Sequence, residues 1–237
     1  DVSSQLTRQI QTEASMTSNK KSITPEQIET ARQRLNETYD WENGGWGAAP
    51  KFPQAMAIEF MLRDTEAYTG SSTPLHALDA MSRGGIYDVV GGGFSRYSTD
   101  ASWLTPHFEK MTYDGALLAR AYLHAWQISG KPHYRQICEE TLQFFAREMR
   151  DEEGGFYSSL DADSEGVEGK FYVWTKNEMQ AILGDNSELI MDYYNISEKG
   201  NWEVGQNILF ITKSKKEIAE QYNITESDLE LKILESK

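Results

Sequence analysis

Two glycines followed by an aromatic residue recur three times along this chain, as Gly44-Gly45-Trp46, Gly92-Gly93-Phe94 and Gly154-Gly155-Phe156. Each set lies between stretches of helical periodicity, at spacings that fit a pair of helices with their loops. Helical hairpins whose glycine loops return at one end imply an α/α toroid, in which the loops line a concave mouth where ligands bind. The helical stretches carry their own punctuation. Thr24-Pro25-Glu26-Gln27 is a capping box with proline at the first helical position, opening a helix that runs to Tyr39. Ala55 to Tyr68 is apolar and helical with Gly70 as its stop, and Thr73-Pro74 opens a helix that ends near Arg83, before Gly84-Gly85. Tyr113 to Ser129 spaces Leu117, Ala121, His124, Ala125 and Ile128 along one helix face, and Gly130 ends it. Pro132 opens the next helix, with Ile137, Leu142, Phe145, Ala146 and Met149 on its expected inner face.

After Met149 the pattern changes. Phe156 to Leu160 and Lys170 to Trp174 are aromatic and β-prone, and they flank the acidic turn from Asp161 to Gly166, which predicts a small β-hairpin insertion or two flanking strands. A second capping box at Thr175 and Glu178 starts a helix to about Leu183. A short helix from Ser187 to Tyr194, a strand from Ile208 to Ile211, and helices from Ser214 to Tyr222 and Thr225 to Ser236 complete the reading. The expected architecture is mainly α: a partial α/α toroid over residues 23–237, preceded by a polar linker or upstream remnant over residues 1–22.

The charge balance narrows the partners. A net charge of −14, with 23 basic against 37 acidic residues and no basic stripe, argues against nucleic acid and against an anionic membrane. No apolar run is long enough to span a bilayer, and the opening residues lack the apolar core of a signal peptide, so the expected compartment is the cytoplasm. The missing initiator methionine reads as a piece cut from a longer protein. The lone Cys138, in mid-helix, reads as a buried thiol.

The densest chemistry lies from Gly91 to Gly115, where Phe94, Arg96, Tyr97, Asp100, Trp103, His107, Glu109, Lys110 and Asp114 crowd one loop and helix entry. That mixture of aromatic platforms and ionisable groups suits a polar, ring-shaped ligand, and the preferred reading is a site acting on a sugar or glycan. Glycoside chemistry needs a protonated acid and a second carboxylate. Glu109, Asp114, Asp161 and Asp163 are the candidates, with Glu109 paired to Asp161 or Asp163 from a second loop. Trp46, Phe94, Trp103, Tyr157 and Trp174 are the candidate stacking platforms, with Arg96 and Tyr97 as further substrate contacts. Pro106 places His107 and Glu109 in or just before a first helical turn. An epimerase-like alternative uses His107 as acid and base, and a non-catalytic glycan- or protein-binding module is the third reading. His124, on an apolar face, reads as a core histidine. No metal and no cofactor are expected: Asp161 to Gly166 mimics the start of a calcium loop, but Tyr172 stands where the bidentate glutamate belongs.

Three long motifs carry a family resemblance: GGWGAAPKFP, MSRGGIYDVVGGGFSRYSTDASWLTPHFEKMTYD and GGFYSSLDADSEGVEGKFYVWT. In this order they resemble the thioredoxin-domain-containing, spermatogenesis-associated protein family, widespread in bacteria as uncharacterised proteins. The resemblance covers about Ile28 to Phe210. It implies a thioredoxin-like domain upstream, as a partner of an (α/α)6 toroid similar to six-hairpin glycosidases and N-acylglucosamine 2-epimerases. The chain would then hold roughly the first half of that toroid, and the open half ring would self-associate through uncovered apolar faces. Thr112 and Gly115 depart from the family pattern, which has an apolar residue and Asn there. The family has no settled activity.

Overall fold

The structure, a computed structural model, describes residues 2–15, 22–63 and 72–237. The chain divides into two compact units, residues 1–35 and 36–237. In the first lies helix α1 (Val2–Ser15), where the sequence reads as polar linker, and most of α2 (Pro25–Glu37). The Thr24 box closes as expected: the Gln27 amide donates to Thr24 Oγ1 at 3.3 Å, and the Thr24 amide donates to Gln27 Oε1 at 3.0 Å.

The second unit is mainly helical. Helices α3 (Ala55–Leu62), α4 (Thr73–Arg83), α5 (Thr112–Ser129) and α6 (Pro132–Phe144) pack around one core, α5 lying along both α3 and α6. The expected extension of α3 to Tyr68 and its stop at Gly70 lie outside the described residues. Ile58, Leu78, Met81, Leu118 and Tyr122 are fully enclosed. Two buried phenols tie the helices together: Tyr122 donates to the Leu78 carbonyl at 2.7 Å, and Tyr134 to the Leu75 carbonyl at 3.3 Å. A left-handed Gly130 ends α5, and a π-helical turn, Phe145–Met149, extends α6. The buried face of this segment runs through Tyr134, Ile137, Cys138, Thr141, Phe144 and Phe145; Leu142 and Ala146 point to solvent, one position off the expected stripe. Gly115 has a steric reason: a Cβ there would lie 2.0 Å from the Phe145 ring, so the close approach of α5 to the π turn leaves no room for a side chain.

Downstream, α7 (Lys176–Leu183), α8 (Ser187–Tyr193), α9 (Lys215–Tyr222) and α10 (Glu226–Glu235) form a chain of neighbours, three of them opened by complete capping boxes at Thr175, Ser214 and Thr225. Among the described residues no helix is long and apolar enough to cross a membrane.

The strands are all two-residue pairs that stitch loops together. β1 (Tyr97–Ser98) pairs with β2 (Pro106–His107), and β3 (Lys110–Met111) with β4 (Ser159–Leu160). β5 (Asp163–Ser164) pairs with β6 (Val167–Glu168), and β7 (Trp174–Thr175) with β8 (Gln206–Asn207). The expected pairing of the Phe156 and Lys170 stretches therefore does not form. The hairpin folds inside the acidic turn instead, because Glu165 and Gly166 both take positive φ, the backbone of a tight two-residue connection. Ile208 and Leu209 are core residues beside β8 rather than a strand of their own.

The threefold glycine motif is a threefold turn. In each copy an aspartate opens the turn and its amide donates to the second glycine's carbonyl: Asp40 to Gly45 at 2.9 Å, Asp88 to Gly93 at 3.0 Å and Asp151 to Gly155 at 2.8 Å. The first glycine returns a bond to the aspartate carbonyl, Gly44, Gly92 and Gly154 each doing so at 2.9 Å. In each copy the aromatic bridges back across the turn, Trp46 to Tyr39, Phe94 to Tyr87 and Phe156 to Arg150. The copies are also joined: Lys51 bridges to Ser98, and Lys110 pairs with Leu160.

Candidate active site

The loop between the second glycine turn and α5 is extended through residues 106–111, so its side chains alternate. His107 and Glu109 therefore share one side, while Phe108 enters a core cluster with Ala162, Val173 and Ile208. The expected helical turn at His107 does not form; α5 begins only at Thr112.

On the His107 side five groups converge. Arg96 donates to Glu109 Oε2 at 3.0 Å, and its amide donates to the Glu109 carbonyl at 2.8 Å, fixing both residues at once. His107 Nε2 lies 4.0 Å from the same Glu109 oxygen, and its Nδ1 lies 2.7 Å from Glu168 Oε1. Glu168 reaches the site from β6 because the tight hairpin turns it back over His107. The imidazole stacks on Tyr97 with ring centres 5.0 Å apart, and Tyr97 lies against Phe52 at 4.8 Å, making a partly exposed aromatic ladder. Asp114, in the first turn of α5, completes the group. Burial lifts its carboxyl to about 6, with the Glu109 charge adding to the rise while Arg96 and Tyr113 oppose it. Asp114 Oδ2 and Arg96 Nε are shielded from solvent and have no hydrogen-bond partner among the described residues. Pairing with Glu109 holds the guanidinium of Arg96 still more firmly charged.

Such an arrangement supplies a proton donor near neutral pH, a fixed carboxylate, an imidazole whose Nδ1 is held by a second carboxylate, and a permanent cation. Among the described residues no group of three or more His, Cys, Asp or Glu side chains is placed to hold a metal ion.

The remaining expected site residues go elsewhere. Asp161, Asp163 and Trp174 line a cavity of 760 Å³ on the Phe108 side of the strand, and Glu109 is not among its lining residues, so Glu109 does not share that cavity with Asp161 or Asp163. Trp46, Phe94 and Trp103 are buried in the core. Trp103 Nε1 donates to the Gly44 carbonyl at 3.1 Å, and Phe94 stacks between Tyr87 and Tyr122. These rings follow or meet the glycine turns, which point them inward. Tyr157 is exposed and donates to Asp151 at 2.5 Å. His124 is half-buried rather than enclosed, with Nδ1 at 2.9 Å from both oxygens of the buried Glu59. Two members of the cluster, Phe52 and Glu168, escape the sequence reading. Glu168 is 61 positions from His107, and no local spacing marks it.

No known family profile matches the chain. Spermatogenesis-associated protein 20 of Homo sapiens is 38% identical over 81% of this chain, and an uncharacterised Caenorhabditis elegans protein is 30% identical over 84% of it. The matched regions make up 28% and 32% of those two proteins, so the chain spans less than a third of the curated relatives it matches. These homologues support the family read from the three motifs. Among solved structures, a sugar epimerase from a ruminal bacterium overlaps 70% of this chain and 52% of its own, at 18% identity and a TM-score of 0.46.

Proposed function

We propose that this chain is the loop-bearing part of an α/α toroid from the spermatogenesis-associated, thioredoxin-domain-containing family, and that the Arg96, His107, Glu109, Asp114 and Glu168 cluster performs acid/base chemistry on a sugar or glycan. The observation that carries this is the placing of Asp114, a carboxyl lifted to about 6, beside the Glu109 carboxylate and the Arg96 guanidinium. A carboxyl whose proton is held up to about pH 6, beside a carboxylate paired with a guanidinium, is the arrangement glycoside cleavage needs. Asp114 would protonate the departing oxygen, Glu109 would serve as base or nucleophile, and the Tyr97 and Phe52 rings would stack on the sugar face. In a longer chain, an upstream thioredoxin-like domain would be the partner of this region.

A second reading has its own observation. The 2.7 Å bond from His107 Nδ1 to Glu168 leaves Nε2 as the free nitrogen of the ring, which suits proton exchange at a carbon beside a sugar carbonyl.

Proton NMR in deuterium oxide separates these readings. Incubation with a panel of glycosides and reducing sugars should release an anomeric product for hydrolysis, or exchange the C2 proton for epimerisation. Asp114→Asn and Glu109→Gln should abolish hydrolysis, whereas His107→Gln should abolish exchange. A rate that needs protonated Asp114 should fall as pH rises through about 6. Sugar binding without turnover by the wild type would overturn the catalytic reading in favour of a binding module.

A further inference from the structure

A second cavity, of 430 Å³, lies between α4 and α6 on one side and the end of α8, residues 211–215 and α10 on the other, and we infer that it binds a phosphate group, free or carried by a small molecule. It shares no residue with the Arg96 cluster, and its volume lies within the range of small-molecule pockets.

What this cavity offers is hydrogen-bond donors. Tyr193 and Tyr194 line it and are 5% and 4% exposed, yet neither hydroxyl bonds to another described residue. Among the described residues, the side-chain polar atoms that are both sealed from solvent and unpartnered lie on Ser72, Arg96, Asp114 and Thr141, so these two hydroxyls stay open. Burial lifts the Tyr193 hydroxyl to about 12 while the Arg83 charge opposes the rise, which leaves a phenol holding its proton at neutral pH in the field of the guanidinium. Arg83 gives Nη2 to the Thr212 carbonyl at 2.7 Å and Nε to the Ile211 carbonyl at 3.4 Å, and its Nη1 has no partner among the described residues. Lys213 donates to the Gln221 side-chain oxygen at 2.9 Å and forms no ion pair among the described residues.

The acceptors around this cavity are already used. Glu140 takes Lys237 at 2.7 Å, Gln136 at 2.9 Å and the Tyr87 hydroxyl, and Asp79 is met by His133 Nε2 at 2.8 Å. Glu217, whose charge reaches Arg83 and Lys213, is turned into the α9 cap, where it accepts the Ser214 amide at 2.6 Å and the Ser214 hydroxyl at 2.7 Å. A guanidinium, an ammonium and a phenol with donors to spare, beside carboxylates that are all engaged, select a ligand that accepts. A phosphate group fits best, because its three terminal oxygens can take Arg83, Lys213 and Tyr193 together and its second negative charge answers the second cation. A carboxylate would leave one of the two cations unanswered, and a neutral polyol would leave both.

Calorimetric titration at fixed ionic strength tests this and does not depend on turnover at the Arg96 cluster. The probes are inorganic phosphate and glycerol 3-phosphate, with acetate and glycerol as controls. At least one phosphate probe should bind, about tenfold or more tightly than either control. Tighter binding of the ester assigns the site to a phosphorylated small molecule, and tighter binding of inorganic phosphate assigns it to the free ion. Tyr193→Phe removes a hydroxyl that holds no other residue, so it should leave the unfolding midpoint unchanged while weakening phosphate binding about fivefold. Lys213→Gln should have an effect of similar size, and Arg83→Gln should weaken binding about tenfold or more. Failure of both phosphates to bind, or binding no tighter than that of acetate, would overturn the proposal. Full affinity in Tyr193→Phe would also overturn it, by reducing the site to two exposed cations that attract any anion.

Discussion

The first two glycine turns and the third, which is one residue shorter, are each closed by a pair of aspartate–glycine backbone bonds but differ in what covers them. Asp40 and Asp88 each receive a buried lysine: Lys51 donates to Asp40 at 2.7 Å and to the Ala101 carbonyl at 3.0 Å, and Lys110 donates to Asp88 at 2.7 Å and to the Gly92 carbonyl at 2.8 Å. The lysine side chains are 0% and 1% exposed. Asp151 instead receives the exposed Tyr157 hydroxyl, and Phe156 is 56% exposed where Trp46 and Phe94 are enclosed. The motif thus builds a turn anywhere, and it becomes an anchor only where neighbouring elements close over it. That distinction serves the site, since Lys110 follows Glu109 and its burial holds the strand that presents His107 and Glu109.

The comparison can be broken most severely at Lys110. Burial pulls its ammonium toward losing the proton while Asp88 opposes this, so the pair stands only while both partners are present. Lys110→Met should leave Asp88 uncompensated and cost about 3–5 kcal/mol in urea unfolding. A loss comparable with that of a surface substitution would show that the turn does not depend on its lysine.

Next come the glycines. Gly92 has φ of 83°, and a Cβ there would lie 2.5 Å from the Glu140 carbonyl oxygen, so Gly92→Ala should cost about 2–4 kcal/mol through strain and clash together. Gly154 has φ of 92° but open space around it, so Gly154→Ala should cost only the backbone strain, about 1 kcal/mol. Equal losses at the two positions would erase the difference between covered and uncovered turns.

A smaller effect is expected in acid. Burial works to raise the Asp40 carboxyl, but the Lys51 ammonium and the Asn43 bonds outweigh it and hold the group at about 2 rather than 3.8. Because the folded value is the lower one, Asp40 contributes stability that is complete above pH 3.8 and is lost as pH falls toward 2. Asp40→Asn should flatten the stability curve in that window, as followed by unfolding at stepped pH. Smallest of all is Tyr157→Phe, which removes one exposed hydrogen bond and should leave the unfolding midpoint within measurement error.

Much of the secondary structure was legible without the fold because its signals act over three or four residues. The Thr24 and Thr175 boxes, the Gly130 stop and the proline at the start of α6 each met their expected partner or position. The same locality explains why Arg96, His107, Glu109 and Asp114 could be singled out together: they lie on one short segment. Tertiary structure alone decided what those residues meet and which aromatics are free. Trp46, Phe94 and Trp103 look like ligand platforms by composition, yet they are packing, because a ring's role depends on what lies across from it. Glu168 reaches His107 only through a hairpin that the strand pattern did not place, and Lys110 finds Leu160 and Asp88 from opposite directions along the chain. Capping and turn preferences are written in neighbouring residues, whereas burial and pairing belong to the whole fold, and in this protein the candidate site is divided between the two.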